Sequence, residues 1–254
     1  FGSSFWPWTT GPVRPIAGLP PMSSKPCSAG LIFLHGSGDS GDGVAEWLAQ
    51  TSGGKFEERL GAAGIRVVYP DAPDVPYTLS GGHPQAVWFD RVGMAYDAPE
   101  DRVGMARSVG QVDAEIDKLV EAGVPLGRIG VAGMSMGGCL SLHVAYGAGR
   151  HAGRLGAAGC LSSFLAQDSE LDALAKARFK QGGTAKAPPL FMAHGHADSM
   201  VRAAWAMRTR DRLEAAGVGV PEEVAIYPGV GHDMCPEEVQ ELTDFLLQHL
   251  TGDT

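Results

Sequence analysis

The string Gly133-Met134-Ser135-Met136-Gly137 has the form G-x-S-x-G. The apolar residues 129–132 lead into it as a strand would, and Gly138 with the apolar run to Tyr146 leaves it as a helix would. That is the strand–turn–helix setting in which such a serine serves as a nucleophile. A corner this sharp strains the backbone of the serine and leaves no room for side chains beside it, which explains the flanking glycines. It also lifts the hydroxyl clear of the sheet and brings the positive end of a helix to the reaction centre.

A serine hydroxyl is a weak nucleophile until a base takes its proton. On this kind of scaffold the chain order is serine, acid, histidine, each on a loop after a successive strand. Asp198 follows the strand-like residues 190–193, and His232 follows residues 224–227. His232 is expected to act as general base and then general acid. Asp198 is expected to hold its ring in the right tautomer and stabilise the imidazolium. Two other acids fit less well: Asp233 adjoins His232, where neighbouring side chains diverge, and Asp90 precedes the serine and breaks the order.

Attack on an acyl carbonyl creates an oxyanion, which needs preset N–H donors worth roughly 3–4 kcal/mol each. The expected pair is the backbone N–H of Met136, just past the nucleophile, and that of Ser37 in His35-Gly36-Ser37-Gly38-Asp39-Ser40-Gly41, with Gly36 the weaker choice. That loop lacks the G-K-[ST] ending of a nucleotide cradle. His194, His196 and Asp198 alternate in a way that could gather a metal, so a metallohydrolase is a rival reading. The residue after Asp198 is Ser199 rather than a further histidine, and no metal or other cofactor is expected. His35 and His194, each at a strand end before glycine, read as structural hydrogen-bonders.

The elements that must hold these groups are legible as alternating patterns. Strands are expected at 31–34, 65–69, 129–132, 158–161, 190–193 and 224–227. Helices are expected at 102–122, with Val109, Val112, Ile116, Leu119 and Val120 on one stripe, and at 137–146, 203–216 and 236–250. Apolar strands separated by helices predict a single α/β domain over residues 25–254, with a mostly parallel sheet covered by helices on both faces; the glycine-flanked serine at its strand-to-helix corner is what the α/β-hydrolase fold carries there. Residues 1–24 stand apart, rich in proline and free of acids, and are expected to be irregular. They lack the apolar core of a secretory signal, although organelle transit segments are also acid-poor.

The chain of 254 residues carries 20 basic and 29 acidic side chains, a net charge of −9. The entire excess lies after Arg212, where nine acids and no Lys or Arg occur. This reads as a solvated helix face, and it disfavours nucleic acid and anionic membranes as partners. Apolar runs fall short of the roughly 20 residues of a membrane-spanning helix. Four dispersed cysteines suit a reducing compartment, so a cytoplasmic location is expected.

Five separated stretches agree with one family. They are residues 31–41, Val87-Trp88-Phe89-Asp90-Arg91, 133–139, Leu161-Ser162-Ser163-Phe164-Leu165 and 194–198. Together they resemble the acyl-protein thioesterase/lysophospholipase (phospholipase/carboxylesterase) family. The resemblance implies a metal-free cytosolic serine hydrolase acting on carboxylic esters or on thioesters of S-acylated proteins, with Ser135, Asp198 and His232 as its triad. Typical thioesterases of the family carry Gln where Met136 stands. Met is found in the lysophospholipase-like branch, which implies a shallower pocket and short acyl chains. Leu79, Trp88, Phe89, Phe164 and Met200 are the candidate pocket lining. A hydrolase-fold protein that binds ligand without turnover is the other reading.

Overall fold

The structure is a computed structural model and describes residues 27–179 and 187–252. The extension at 1–24 lies outside the described residues. Six strands form one sheet in the order β2-β1-β5-β6-β7-β8, every neighbouring pair parallel. They are β1 (Ala29–Leu34), β2 (Ile65–Val68), β5 (Ile129–Met134), β6 (Ala157–Leu161), β7 (Leu190–Gly195) and β8 (Ala225–Tyr227). The remaining pair, β3 (Asp74–Pro76) and β4 (Pro84–Ala86), forms a separate antiparallel hairpin.

Alternation along the strands builds a core on each side of the sheet. On β1, Ile32 and Leu34 join the core shared with α3 (Arg102–Glu121) and α4 (Met136–Tyr146). Leu31 and Phe33 join the opposite core, beneath α1 (Gly41–Ser52), α2 (Lys55–Ala62) and α7 (Pro236–Thr251). α7 supplies Val239, Leu242, Leu246 and Leu250 to that second core, each fully buried. Such burial contributes about 1.5–3 kcal/mol per side chain. Helices α5 (Leu171–Phe179) and α6 (Ala203–Ala215) complete the layer over the first core.

The expected strands and four expected helices are present, with no end shifted by more than two residues. Helices α1, α2 and α5 and the β3–β4 hairpin were not anticipated. α1 begins in a glycine-rich stretch that reads as loop, but Ser40 caps it by accepting from the Gly43 N–H at 3.0 Å, and Asp71 accepts from Gly41. Val120 departs from the predicted stripe and is 39% exposed. It follows Leu119 and lies past the edge of the face that α3 turns to the sheet.

Among the described residues, the acids of the C-terminal region are exposed with one exception. Glu238, in the first turn of α7, has no exposed surface. Burial pushes its pKa up to about 8; the nearby Cys235 backbone N–H opposes this, and the charges of Asp233 and Glu241 act in the same sense as burial. Above the ordinary glutamate value of 4.5 the folded chain therefore keeps a proton that the unfolded chain releases, until pH rises through about 8. Stability should fall with rising pH across that window by about 1.4 kcal/mol per unit. Glu238→Gln should remove this slope, measured as the difference between parent and variant in urea midpoints from acid to mildly alkaline pH. Parallel curves would show that Glu238 does not titrate in this way.

Candidate active site

Ser135 sits between β5 and α4 with φ 55° and ψ −117°, a region that non-glycine residues avoid and that costs on the order of 1–3 kcal/mol. Its strain is held by the surroundings: the Ser135 N–H donates to Leu161 O at 2.8 Å. The glycines on either side have steric causes. A Cβ on Gly133 would lie 2.5 Å from the Gly137 carbonyl carbon, and one on Gly137 would lie 2.2 Å from Leu34 O. The corner closes only because both are absent.

Loops at the carboxyl ends of β7 and β8 bring the other two groups to this hydroxyl. Ser135 Oγ lies 2.9 Å from His232 Nε2, and His232 Nδ1 lies 2.7 Å from Asp198 Oδ2. With Nδ1–H donated to the carboxylate, Nε2 is left to accept the serine proton. The second oxygen of Asp198 accepts the N–H groups of Met200 and Val201 at 2.9 and 2.8 Å. His194 approaches Asp198 Oδ2 at 3.3 Å and donates to Val201 O at 2.9 Å. Burial opposes ionisation of Asp198, but the approach of the His194 N–H and the hydrogen bonds from His232 and Val201 outweigh it and hold the carboxyl well below the usual carboxylate range. An ionised, fully bonded carboxylate is therefore fixed behind the imidazole.

The two segments expected to supply the oxyanion donors adjoin the serine. Met136 is the first residue of α4, so its N–H has no helical acceptor. The loop after β1 passes close above the serine: a Cβ on Gly36 would be 3.6 Å from Ser135 Cβ. Next along, the N–H of Gly38 donates to Ala86 O at 2.9 Å, so the hairpin ending in β4 braces this loop. The sequence patterns missed that hairpin; the prolines at 73, 76 and 84 that bound its short strands were the available signal.

The other candidates separate. His194 is committed beneath Asp198 while His196 is exposed, so the alternating run does not converge. Among the described residues, no three His, Cys, Asp or Glu side chains are grouped to hold a metal ion. Asp90 instead accepts the N–H and hydroxyl of Thr78, bracing the hairpin connection. Of the five proposed lining residues, Leu79 (42%) and Met200 (55%) are exposed. Trp88, Phe89 and Phe164 are buried and serve as packing. Trp88 spends its indole N–H on His35 O, and Phe164 lies between the Arg91 guanidinium and the Trp205 ring. A groove of about 350 Å³ lined by Leu190, Ala225 and Phe245 opens where β7 and β8 begin, at the end of the sheet away from Ser135.

Residues 22–250 match the family described as phospholipase/carboxylesterase. The chain is 35% identical over 227 residues to lysophospholipase-like protein 1 of Mus musculus, covering 89% of each chain. It is 32% identical to acyl-protein thioesterase 1 of Neurospora crassa, covering 88% of this chain and 87% of that one. The crystal structure of Zea mays acyl-protein thioesterase 2 superposes with a TM-score of 0.70 at 30% identity, over 89% of this chain and 96% of that chain. Arabidopsis thaliana SOBER1 superposes with a TM-score of 0.73 at 25% identity, over 87% and 99%. A family match across nine-tenths of the chain, with relatives this similar over nearly their whole length, places this chain in the phospholipase/carboxylesterase family of α/β-hydrolases.

Proposed function

We propose that this protein is a serine hydrolase that cleaves carboxylic esters or thioesters through an acyl-enzyme on Ser135, with short acyl chains favoured. The observation that carries the reading is the unbroken line from Ser135 Oγ through the His232 ring to Asp198, with both hydrogen bonds under 3 Å. His232 takes the hydroxyl proton as Ser135 Oγ attacks the acyl carbonyl. The negative oxygen that forms is met by the N–H groups of Met136 and Ser37. The imidazolium, balanced by Asp198, then gives its proton to the departing alkoxide or thiolate, leaving the acyl group on Ser135. Water repeats the sequence from the other side: His232 takes its proton, the carboxylic acid leaves, and the serine is restored.

The family and the named relatives support ester and thioester substrates, S-acylated protein among them. The preference for short chains rests on Met136 and on the packing of Trp88, Phe89 and Phe164, which leaves the exposed Leu79 and Met200 as apolar contacts for a chain. Metal and cofactor play no part in these steps. Among the described residues no helix is long and apolar enough to cross a membrane. We place the protein's work in the cytoplasm, on the dispersed thiols: all four cysteines are free, with Cys139 and Cys160 buried.

The test is a series of p-nitrophenyl esters from acetate to palmitate, run with and without chelator, beside fluorophosphonate labelling mapped by peptide mass. Turnover should peak among the short esters and ignore chelator, and the label should sit on Ser135. A peak at long chains would overturn the chain-length preference. Chelator-sensitive turnover without labelling would favour a metallohydrolase, and tight ester binding without turnover would mark a binding protein.

A further inference from the structure

His35 stands at the end of β1 with no exposed surface, and the catalytic steps above do not use it. Both its ring nitrogens are engaged. Ala72 N–H donates to Nε2 at 2.9 Å, so the proton of the neutral ring is on Nδ1, which lies 2.7 Å from Gly36 O. Burial draws its pKa below the ordinary imidazole value, against the opposing influence of Gly36, Asp39 and Asp71, and so keeps Nε2 free to accept. The ring is held from a third side by Trp88, with ring centres 5.0 Å apart and the Trp88 indole N–H donating to His35 O at 2.9 Å.

The carbonyl that His35 grips shares its peptide plane with the N–H of Ser37. In a trans peptide the C=O and N–H point in opposite directions. Anchoring Gly36 O toward the buried imidazole, where the Asp39 N–H also donates to it at 3.4 Å, therefore turns the Ser37 N–H to the opposite side of that peptide, on a loop whose Gly36 passes beside Ser135. Among the described residues, the Ser37 N–H has no protein hydrogen-bond acceptor. We infer that His35 is a positioning residue for acyl transfer, aiming the Ser37 N–H at the oxyanion by hydrogen-bonding Gly36 O through Nδ1, with Trp88 as its brace. The inference rests on the serine-hydrolase reading given above.

Amide side chains separate this role from simple packing. An asparagine at 35 can place an N–H where Nδ1 stands, whereas a glutamine reaches the Nε2 position and can accept from Ala72 without touching Gly36 O. His35→Ala and His35→Gln should each lower kcat by about 100-fold with little change in KM, the typical cost of losing one oxyanion donor. Each should weaken a short-chain alkyl trifluoromethyl ketone, whose serine adduct carries the oxyanion, by a similar factor. His35→Asn should keep most of the rate and most of that affinity. Glutamine performing as well as asparagine would overturn the inference. So would a fall in kcat with unchanged affinity for the ketone. That comparison decides even where the alanine variant does not fold. Fluorophosphonate labelling of Ser135 in the parent protein checks the underlying reading separately, since its absence there would remove the acyl-enzyme whatever His35 does.

Discussion

Ser135→Ala should lose nearly all turnover, on the order of 10⁶-fold in kcat, as in other enzymes where removal of one triad member disables the set. Without the hydroxyl there is no acyl-enzyme, and His232 has no proton to take from the protein at that point. What remains is the polarisation of a bound ester by the Met136 and Ser37 N–H groups, which accounts for a residual roughly 10³–10⁴-fold over water. The backbone at 135 keeps φ 55° in the variant, and its N–H keeps the bond to Leu161 O, so folding stability should change little. The checks are burst-phase kinetics with a p-nitrophenyl ester and a thermal melt on the same preparation. A variant that retains a burst, or more than about a thousandth of the parent rate, would place the nucleophile elsewhere.

Glu100→Gln should cost about 3 kcal/mol of stability or more, far beyond an exposed ion pair. The Glu100 carboxylate lies 3.0 Å from His143 Nε2, with the two side chains 3% and 0% exposed. Burial opposes both charges, yet each is favoured. Contacts with His143, Ser169 and Glu170 hold Glu100 well below its ordinary value, and the Cys139 sulfur and the Glu100 carboxylate raise His143 above its own. Removing the carboxylate leaves a buried imidazolium that must give up its proton or stand unpaired. For a domain of this size the loss corresponds to roughly 6–12 °C in Tm.

The pH dependence of that loss follows from the two directions. A raised histidine contributes fully below the ordinary imidazole range, and its contribution is lost as pH climbs through its folded value. A lowered glutamate contributes fully above the ordinary carboxylate range, and its contribution is lost as pH falls through its folded value. The gap between parent and variant should thus be widest between those ranges and should narrow in strong acid and in alkali. Urea melts across pH measure it, and a constant gap would show the pair to be uncharged. The pair also joins the segment before α3 to the one before α5, through Glu170 N–H on Glu100 and Glu100 N–H on Asp168. Loss of activity on mild heating should therefore precede global unfolding in the variant.

The sequence by itself determined the strand-to-helix corner at 133–137, the order of serine, acid and histidine, and the alternation of strands and helices that makes the sheet parallel. These are local matters: backbone sterics at a glycine-flanked turn and the side-chain period of one element are written in adjacent residues. Tertiary structure decided which polar groups are shut away from water and what they meet. Glu238 looks like any other acid on an acidic helix, and His143 like any histidine, until packing buries one without a cation and seats the other against Glu100. Trp88 reads equally well as pocket lining or as core; in the fold it is buried and its indole N–H donates to His35 O, at the start of the loop beside Ser135. The β3–β4 hairpin is too short for periodicity to reveal, because its strands are stabilised by what they brace rather than by a pattern of their own. Desolvation and long-range pairing depend on residues dozens of positions apart, so no reading along the chain could assign them.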